Sequence, residues 1–118
     1  MMMTGKHVLF MTTASEVGGG SKVLFSVARG LLRDNRCSVV VQEDCPVGRI
    51  FQGMGGTVWH VKMPAWRRFT AFFQRRKGVA DLERIVRDHQ VDLICCNSYR
   101  INPYAWHVSR HIGVPFLT

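Results

Sequence analysis

The order of apolar and polar positions predicts a chain in which strands and helices alternate. Five short apolar or β-branched runs predict strands, over residues 7–12, 38–42, 57–61, 91–96 and 114–118. The runs over residues 7–12 and 38–42 do not alternate with polar residues. Such runs are typical of strands that are buried on both faces of a parallel sheet.

The segments between these runs carry helical spacing. After a glycine run, apolar residues recur three and four positions apart, which predicts one buried helical stripe. The stripe comprises Val23, Leu24, Val27, Ala28, Leu31 and Leu32. This helix should end near Asp34 and Asn35, because asparagine accepts the left-handed conformation of a helix cap.

Three further helices are expected. A short one covers residues 49–54, and a longer one covers residues 66–90, with an interruption near Gly78. The last begins at Pro103, whose missing amide costs nothing in a first turn, and ends at Gly113. Its buried face should comprise Tyr104, Ala105, Val108 and Ile112.

This alternation predicts one α/β domain over residues 1–118, with a Rossmann-like parallel sheet, right-handed crossovers and helices on both faces. Ligands of such sheets bind beyond the carboxyl ends of the strands. The loops over residues 13–20, 42–47 and 97–102 follow strands at those ends. These loops are therefore the candidate binding region.

A glycine-rich loop leads into the first predicted helix. Gly18, Gly19 and Gly20 have no Cβ, so the backbone there can lie close to a ligand. The first amides of a helix lack helical partners, and the helix dipole is positive at that end. The arrangement suits a phosphate group. A simple packing turn is the alternative interpretation.

Two familiar nucleotide motifs fit poorly. A dinucleotide fingerprint needs GxGxxG directly after the first strand, whereas these glycines come late and Val23 replaces the third spaced glycine. Glu43 and Asp44 after the second strand retain only a likeness to the acidic residue that holds a ribose. A P-loop is excluded, because Ser21 and Lys22 stand in the wrong order.

Composition narrows the class of protein. Hydrophobic residues make up 47% of the chain and charged residues 20%, which excludes a disordered protein. The net charge of +8 favours partners that carry phosphate: nucleic acid, an anionic membrane or a phosphorylated small molecule. The four cysteines form no paired CxxC motif, so reduced thiols and a cytosolic compartment are expected.

The stretch WRRFTAFFQRRKG over residues 66–78 combines aromatic and basic residues. On a helix the aromatic side chains fall largely on one side with cations around them, as in an interfacial membrane helix. The residues concerned are Trp66, Arg67, Arg68, Phe69, Phe72, Phe73, Arg75, Arg76 and Lys77. The alternative is that the aromatics pack on the sheet and the arginines form a solvated face. Nucleic acid is disfavoured, because no DNA- or RNA-binding module is visible.

The remaining candidate residues are interpreted as structural. His107 and His111 are four positions apart, but no acidic or cysteine partner lies in register, so we expect no metal site. Trp59 and Trp106 are expected in the core or at its margin.

Three segments together resemble the amino-terminal domain of GT-B-type glycosyltransferases of family four, also called group one. They read GGGSKVLFSVARGLL, RCSVVVQEDCP and VDLICCNSYRINPYAWHVSRHIGVPFLT, and they span nearly the whole chain. In that family paired glycines lead into a GGxxxxxxxLAxxL helix, and a later strand precedes a helix and a GVPxxxT segment.

The resemblance implies half of a two-domain enzyme. The amino-terminal domain binds the acceptor, and the absent carboxyl-terminal domain holds most of the nucleotide sugar and supplies a pair of glutamates. Gly18, Gly19 and Gly20 would approach the donor diphosphate. Asn97, Ser98, Tyr99 and Arg100 would line the acceptor side. The donor would be a substrate, with no cofactor or metal required.

The resemblance also sets expectations for the whole protein. The cleft histidine of many relatives would lie beyond Thr118, so no catalytic residue is assigned and the chain alone should be inactive. A role in polysaccharide or glycolipid synthesis is implied, in the cytoplasm or peripherally on the inner face of the membrane. Surfaces left uncovered by the missing segments would favour a homodimer. A non-catalytic Rossmann-like module that binds a nucleotide or phosphate is the alternative.

Overall fold

The strands and helices of a computed structural model alternate as the sequence pattern predicts. The structure describes residues 5–13, 19–63, 72–96 and 101–117. The elements in these segments are β1 (His7–Met11), α1 (Gly19–Leu31), β2 (Arg36–Val41), α2 (Pro46–Gly53), β3 (Thr57–His60), α3 (Phe72–Asp88), β4 (Leu93–Cys96), α4 (Asn102–Ile112) and β5 (Phe116–Leu117).

The strands form one parallel sheet in the order β3-β2-β1-β4-β5. β1 is central, and its Val8 lies opposite Cys37 on one side and Leu93 on the other. The predicted α/β class with a Rossmann-like parallel sheet is therefore confirmed.

Successive side chains of β1 enter two separate cores. Val8 and Phe10 pack with buried residues of α1 and α2, whereas Leu9 and Met11 pack with buried residues of α3 and α4. The strand period of two residues therefore divides one apolar run between two layers. Helices cover both faces of the sheet, as predicted.

The buried stripe of α1 differs from the predicted one. Leu24, Phe25 and Ala28 are buried, but Val23 is 61% exposed and Val27 is 46% exposed. Neighbouring positions on a helix point about 100° apart, so Val23 and Leu24 cannot both face the sheet squarely. Phe25 supplies the larger side chain, and the helix therefore rolls toward it.

The end of α1 also differs from the prediction. The helix ends at Leu31, and Asn35 does not adopt a left-handed backbone, since Gln90 is the only described residue other than glycine with positive φ. Asn35 acts through its side chain instead. Its Oδ1 accepts the Lys6 amide at 3.0 Å and its Nδ2 donates to the Leu31 carbonyl at 3.2 Å.

α3 runs without a break through Gly78, so the predicted interruption is wrong. A Cβ at this glycine would lie 2.7 Å from the carbonyl oxygen of Lys62. The glycine therefore allows close approach of α3 to the chain after β3 instead of breaking the helix. Residues 66–71 of the predicted helix lie outside the described residues.

α4 confirms the predicted signals at both ends. Pro103 lies in the first turn, and Gly113 adopts φ 88° while its amide donates to the Ser109 carbonyl at 2.7 Å. Tyr104, Ala105 and Val108 are buried, as expected. Trp106 was expected at least partly in the core, but it is 45% exposed, because it lies on the outer side of the helix.

Candidate functional site

The carboxyl ends of the parallel strands lie along one edge of the sheet, which we call the carboxyl edge. Each helix begins after a strand on this edge, because every crossover joins two parallel strands. The amino termini of α1, α2, α3 and α4 therefore gather there. This is the edge at which ligands of open α/β sheets bind.

The amino terminus of α1 includes two of the predicted glycines. Gly19 is the first helical residue and Gly20 the second, so the helix begins within the glycine run and not after it. Their amides are among the first four of the helix, which have no helical acceptor. The first turn carries no acidic side chain. Gly18 lies outside the described residues.

The predicted acceptor residues precede α4 in the sequence. Asn97, Ser98, Tyr99 and Arg100 lie outside the described residues. Two positions after Arg100, Asn102 opens α4 with its side-chain oxygen buried and without a hydrogen-bond partner among the described residues. An unsatisfied buried oxygen costs about 1–3 kcal/mol. Sequence reasoning included Asn102 in the candidate loop over residues 97–102 but gave it no separate role, because asparagine at a helix start is ordinarily a cap.

Hydrogen bonds fix the chain at the carboxyl edge beside β2 and β3. The amide of Met63 donates to Oε1 of Gln42 at 3.3 Å, and the amide of Val61 donates to the Val41 carbonyl at 2.9 Å. On the β1 side, the Thr12 amide donates to the Val40 carbonyl at 3.3 Å. The chain that leaves each of these strands therefore has a fixed starting direction.

Asp44, an acidic residue after β2, forms an ion pair with a neighbouring side chain. Arg49 donates from Nε and Nη2 to the two carboxylate oxygens at 3.2 and 3.1 Å. These hydrogen bonds and the guanidinium charge lower the pKa of the Asp44 carboxyl below its usual range. The pair is solvent-exposed, so it contributes little to stability.

A second candidate surface lies on the outer side of α3 and α4. We call it the aromatic–cationic face and define it by Phe72, Phe73, Arg75 and Arg76 of α3 with Trp106, His107 and Arg110 of α4. Phe72 is 49% exposed and Phe73 is 79% exposed. The alternative that the aromatics of this stretch pack on the sheet is therefore wrong for both.

Guanidinium groups lie over the exposed rings of this face. Arg75 and Arg76 place their Cζ atoms 5.8 and 5.9 Å from the centroid of Phe72. On α4, Arg110 places its Cζ 5.1 Å from the centroid of Trp106. Such contacts keep the cations beside the apolar rings. Lys77 is exposed on the same helix.

Part of the predicted membrane segment cannot be placed on this face. Trp66, Arg67, Arg68 and Phe69 lie outside the described residues. Conversely, sequence reasoning missed the contribution of α4, because Trp106 was expected in the core or at its margin. The available signal was the spacing of four residues between Trp106 and Arg110, which places both on one helical face.

The described segments contain neither a cluster of metal ligands nor a membrane-spanning helix. No group of three or more histidine, cysteine, aspartate or glutamate side chains in residues 5–13, 19–63, 72–96 and 101–117 comes together as a set of metal ligands. No helix in the described part of the chain combines the length and apolar character needed to cross a membrane.

Comparisons with known proteins give matches only at the level of structure. No protein-family model and no curated protein matches the sequence. MurG of Acinetobacter baumannii matches with a TM-score of 0.73 and 20% identity, over 94% of this chain and 33% of its own. HepE of Anabaena, in complex with UDP and glucose, matches with a TM-score of 0.72 and 18% identity, over 94% and 28%.

Two other matches show how far the likeness extends. The lipopolysaccharide outer core galactosyltransferase WaaB matches with a TM-score of 0.66 and 14% identity, over 94% of this chain and 31% of its own. Saccharopine dehydrogenase of Saccharomyces cerevisiae also matches with a TM-score of 0.66, at 11% identity, over 95% and 21%. At such identities the likeness concerns the fold alone.

The chain matches only a part of each transferase. This chain spans about a third or less of the length of each. The matched part is a parallel sheet with helices on both faces, as described above. The chain therefore has the fold of a Rossmann-like half of the GT-B glycosyltransferases.

Proposed function

We propose that this chain is the acceptor-side domain of a nucleotide-sugar-dependent glycosyltransferase that acts in polysaccharide or glycolipid synthesis. The observation that carries the proposal is the start of α1 at Gly19, within a glycine run, in the helix that follows the central strand. Bare amides at a positive helix end suit the diphosphate of a donor.

The comparisons support the same assignment. HepE carries UDP and glucose in one structure and UDP-glucose in another, and WaaB is named for lipopolysaccharide. In this chain Gly19 and Gly20 would contact the donor phosphates, and residues 97–100 would contact the acceptor. The donor is a substrate in this proposal, and neither a metal nor a bound cofactor takes part.

Titration of the ¹⁵N-labelled chain with UDP-glucose tests the donor contact. We expect chemical-shift changes at the amides of Gly19 and Gly20, unchanged by EDTA, and none with glucose alone. Shifts confined to other parts of the chain would contradict the proposal. Assayed by itself, the chain should transfer or hydrolyse no sugar, because it corresponds to about a third or less of the length of the transferases that it matches.

A non-catalytic Rossmann-like module is the second candidate. The match to a dehydrogenase favours it, since the same fold serves other nucleotides. NAD in place of UDP-glucose discriminates between the two in the same titration. Shifts at Gly19 and Gly20 with NAD and not with UDP-glucose would establish the module and remove the transferase.

We further propose that the aromatic–cationic face contacts an anionic membrane, which would place the protein peripherally on the inner face. Exposed rings beside cations match the composition of interfacial helices. Cosedimentation with vesicles of phosphatidylglycerol and phosphatidylcholine, compared with phosphatidylcholine alone, tests this contact. Equal sedimentation with both vesicles would remove it.

A homodimer remains part of the proposal. Val23, Val27 and Ile50 are exposed apolar side chains on the other helical layer, and exposed apolar surface favours association. Light scattering over a range of protein concentrations should show a species larger than a monomer. A monomer at all concentrations would contradict this part.

A further inference from the structure

The aromatic–cationic face contains a groove between α3 and α4 with a volume of about 480 Å³. Its apolar lining comprises Phe72, Val79 and Ala80, and Arg75 and Arg76 lie along it. The volume falls within the range of about 300–1,000 Å³ that small-molecule sites occupy. A flat surface that only adsorbs to a membrane does not require such a groove.

The charges around the groove favour an anion at its rim. Arg75 and Arg76 hold their guanidinium groups near the ring of Phe72, at the end of the groove where α3 begins. Glu83 is the one carboxylate among the described residues that line it, and its Oε1 accepts a hydrogen bond from Nδ1 of His111 at 2.7 Å. That contact holds the carboxylate toward α4.

Exposed aromatic rings beside these charges supply apolar surface for a ligand. Phe72 and Phe73 contact each other edge to face, with centroids 5.6 Å apart, yet both stay largely exposed. An apolar ligand that covers Phe72 would remove its ring from water without moving the helices. The groove therefore combines an apolar floor with cations at one end.

We propose that this groove holds the hydrocarbon chain of an anionic amphiphile, with a phosphate at Arg75 and Arg76. The inference rests on the proposed membrane contact, because it assigns one lipid of that membrane to a defined site. It differs from surface adsorption in requiring one ligand per groove and in depending on the shape of Ala80 and Val79.

Decyl phosphate, kept below its micellar concentration, is the probe. It should shift the amides of Val79, Ala80 and His107 in a saturable titration. Inorganic phosphate at the same concentration should not do so, and decyl maltoside, which has the chain without the charge, should bind at least tenfold more weakly. Equal shifts with inorganic phosphate, or shifts away from α3 and α4, would overturn the groove.

A matched pair of variants tests the shape requirement. Ala80→Phe fills the groove from an exposed position and should weaken decyl phosphate binding at least tenfold. Gln74→Phe adds the same ring to an exposed position of α3 outside the groove and should bind like the wild type. Unchanged binding by Ala80→Phe would overturn the proposal.

Vesicle binding separates this proposal from the membrane contact. Ala80→Phe keeps every cation, so it should still sediment with anionic vesicles. Saturable decyl phosphate binding without any vesicle binding would establish the groove and overturn the membrane contact. Vesicle binding without decyl phosphate binding would overturn the groove and leave the membrane contact standing.

Discussion

The helical layers on the two faces of the sheet share an architecture and differ in their outer surfaces. On the α1 and α2 layer the exposed large side chains are aliphatic: Val23, Val27 and Ile50. On the α3 and α4 layer they are aromatic, Phe72, Phe73 and Trp106, with guanidinium groups over the rings. Each layer buries a core of its own against the sheet, so the difference is confined to the outer surfaces.

The largest expected effect compares a buried phenylalanine of one layer with an exposed one of the other. Phe51 on α2 is fully buried, so Phe51→Ala should lower the free energy of unfolding by about 3–5 kcal/mol. Phe73→Ala on α3 should change it by about 0.5 kcal/mol or less, because Phe73 is exposed. Urea denaturation measures both, and equal losses would contradict the assignment of Phe73 to an outer surface.

Paired charge variants compare the layers in membrane binding. Arg75→Gln with Arg76→Gln removes two cations from α3, and each cation near an anionic leaflet contributes about 1 kcal/mol. We expect vesicle affinity to fall by roughly 30-fold, which corresponds to about 2 kcal/mol. Arg29→Gln with Arg33→Gln removes two cations on the α1 side and should change affinity by much less. Equal losses in the two double variants would show that net charge and not the face controls binding.

Two helical glycines provide a smaller test. In Gly78→Ala the new Cβ would meet a backbone carbonyl that cannot move away cheaply, so we expect a loss of about 1–2 kcal/mol. Gly30 on α1 has open space around its Cβ position, so Gly30→Ala should stabilise the protein by up to about 1 kcal/mol. Thermal unfolding gives the sign of each. Stabilisation by both would mean that α3 does not approach Lys62 closely.

The smallest expected effect concerns the side-chain hydrogen bonds that hold the ends of the two helical layers. Asn35 holds the end of α1 through an amide that does not titrate, whereas His7 donates from Nδ1 to the His89 carbonyl after α3 at 2.8 Å. The Nε2 atom of His7 accepts the Ser38 hydroxyl at 2.5 Å. Burial lowers the pKa of His7, although the hydrogen bond to His89 opposes this.

The lowered pKa of His7 gives stability a definite pH dependence. Below about pH 6.5 the unfolded chain binds a proton at this position that the folded chain binds only at lower pH, so stability falls on acidification. One such proton contributes at most about 1.4 kcal/mol per pH unit. Urea denaturation of the wild type and His7→Gln between pH 7.5 and 5.5 measures the difference. Equal slopes in both proteins would contradict it.

Much of the fold could be predicted because its signals are local. The strands that begin at His7 and Thr57 follow from short apolar runs, and α4 follows from Pro103 and Gly113. The residues of the candidate site were harder to predict from the sequence. Gly19 and Gly20 were identified from the absence of a Cβ, whereas Asn102 and Trp106 acquire their roles from what surrounds them in three dimensions.

By itself, the sequence determined the order of the elements and the parallel α/β class, because periodicity and turn residues act over a few neighbouring positions. Only the tertiary structure decided which side of each helix faces the sheet. Val23 turned outward because Leu24 and Phe25 filled the space beneath α1. It also brought His107 of α4 to the groove that Phe72 and Arg75 of α3 line, since α3 and α4 meet only once the sheet has formed.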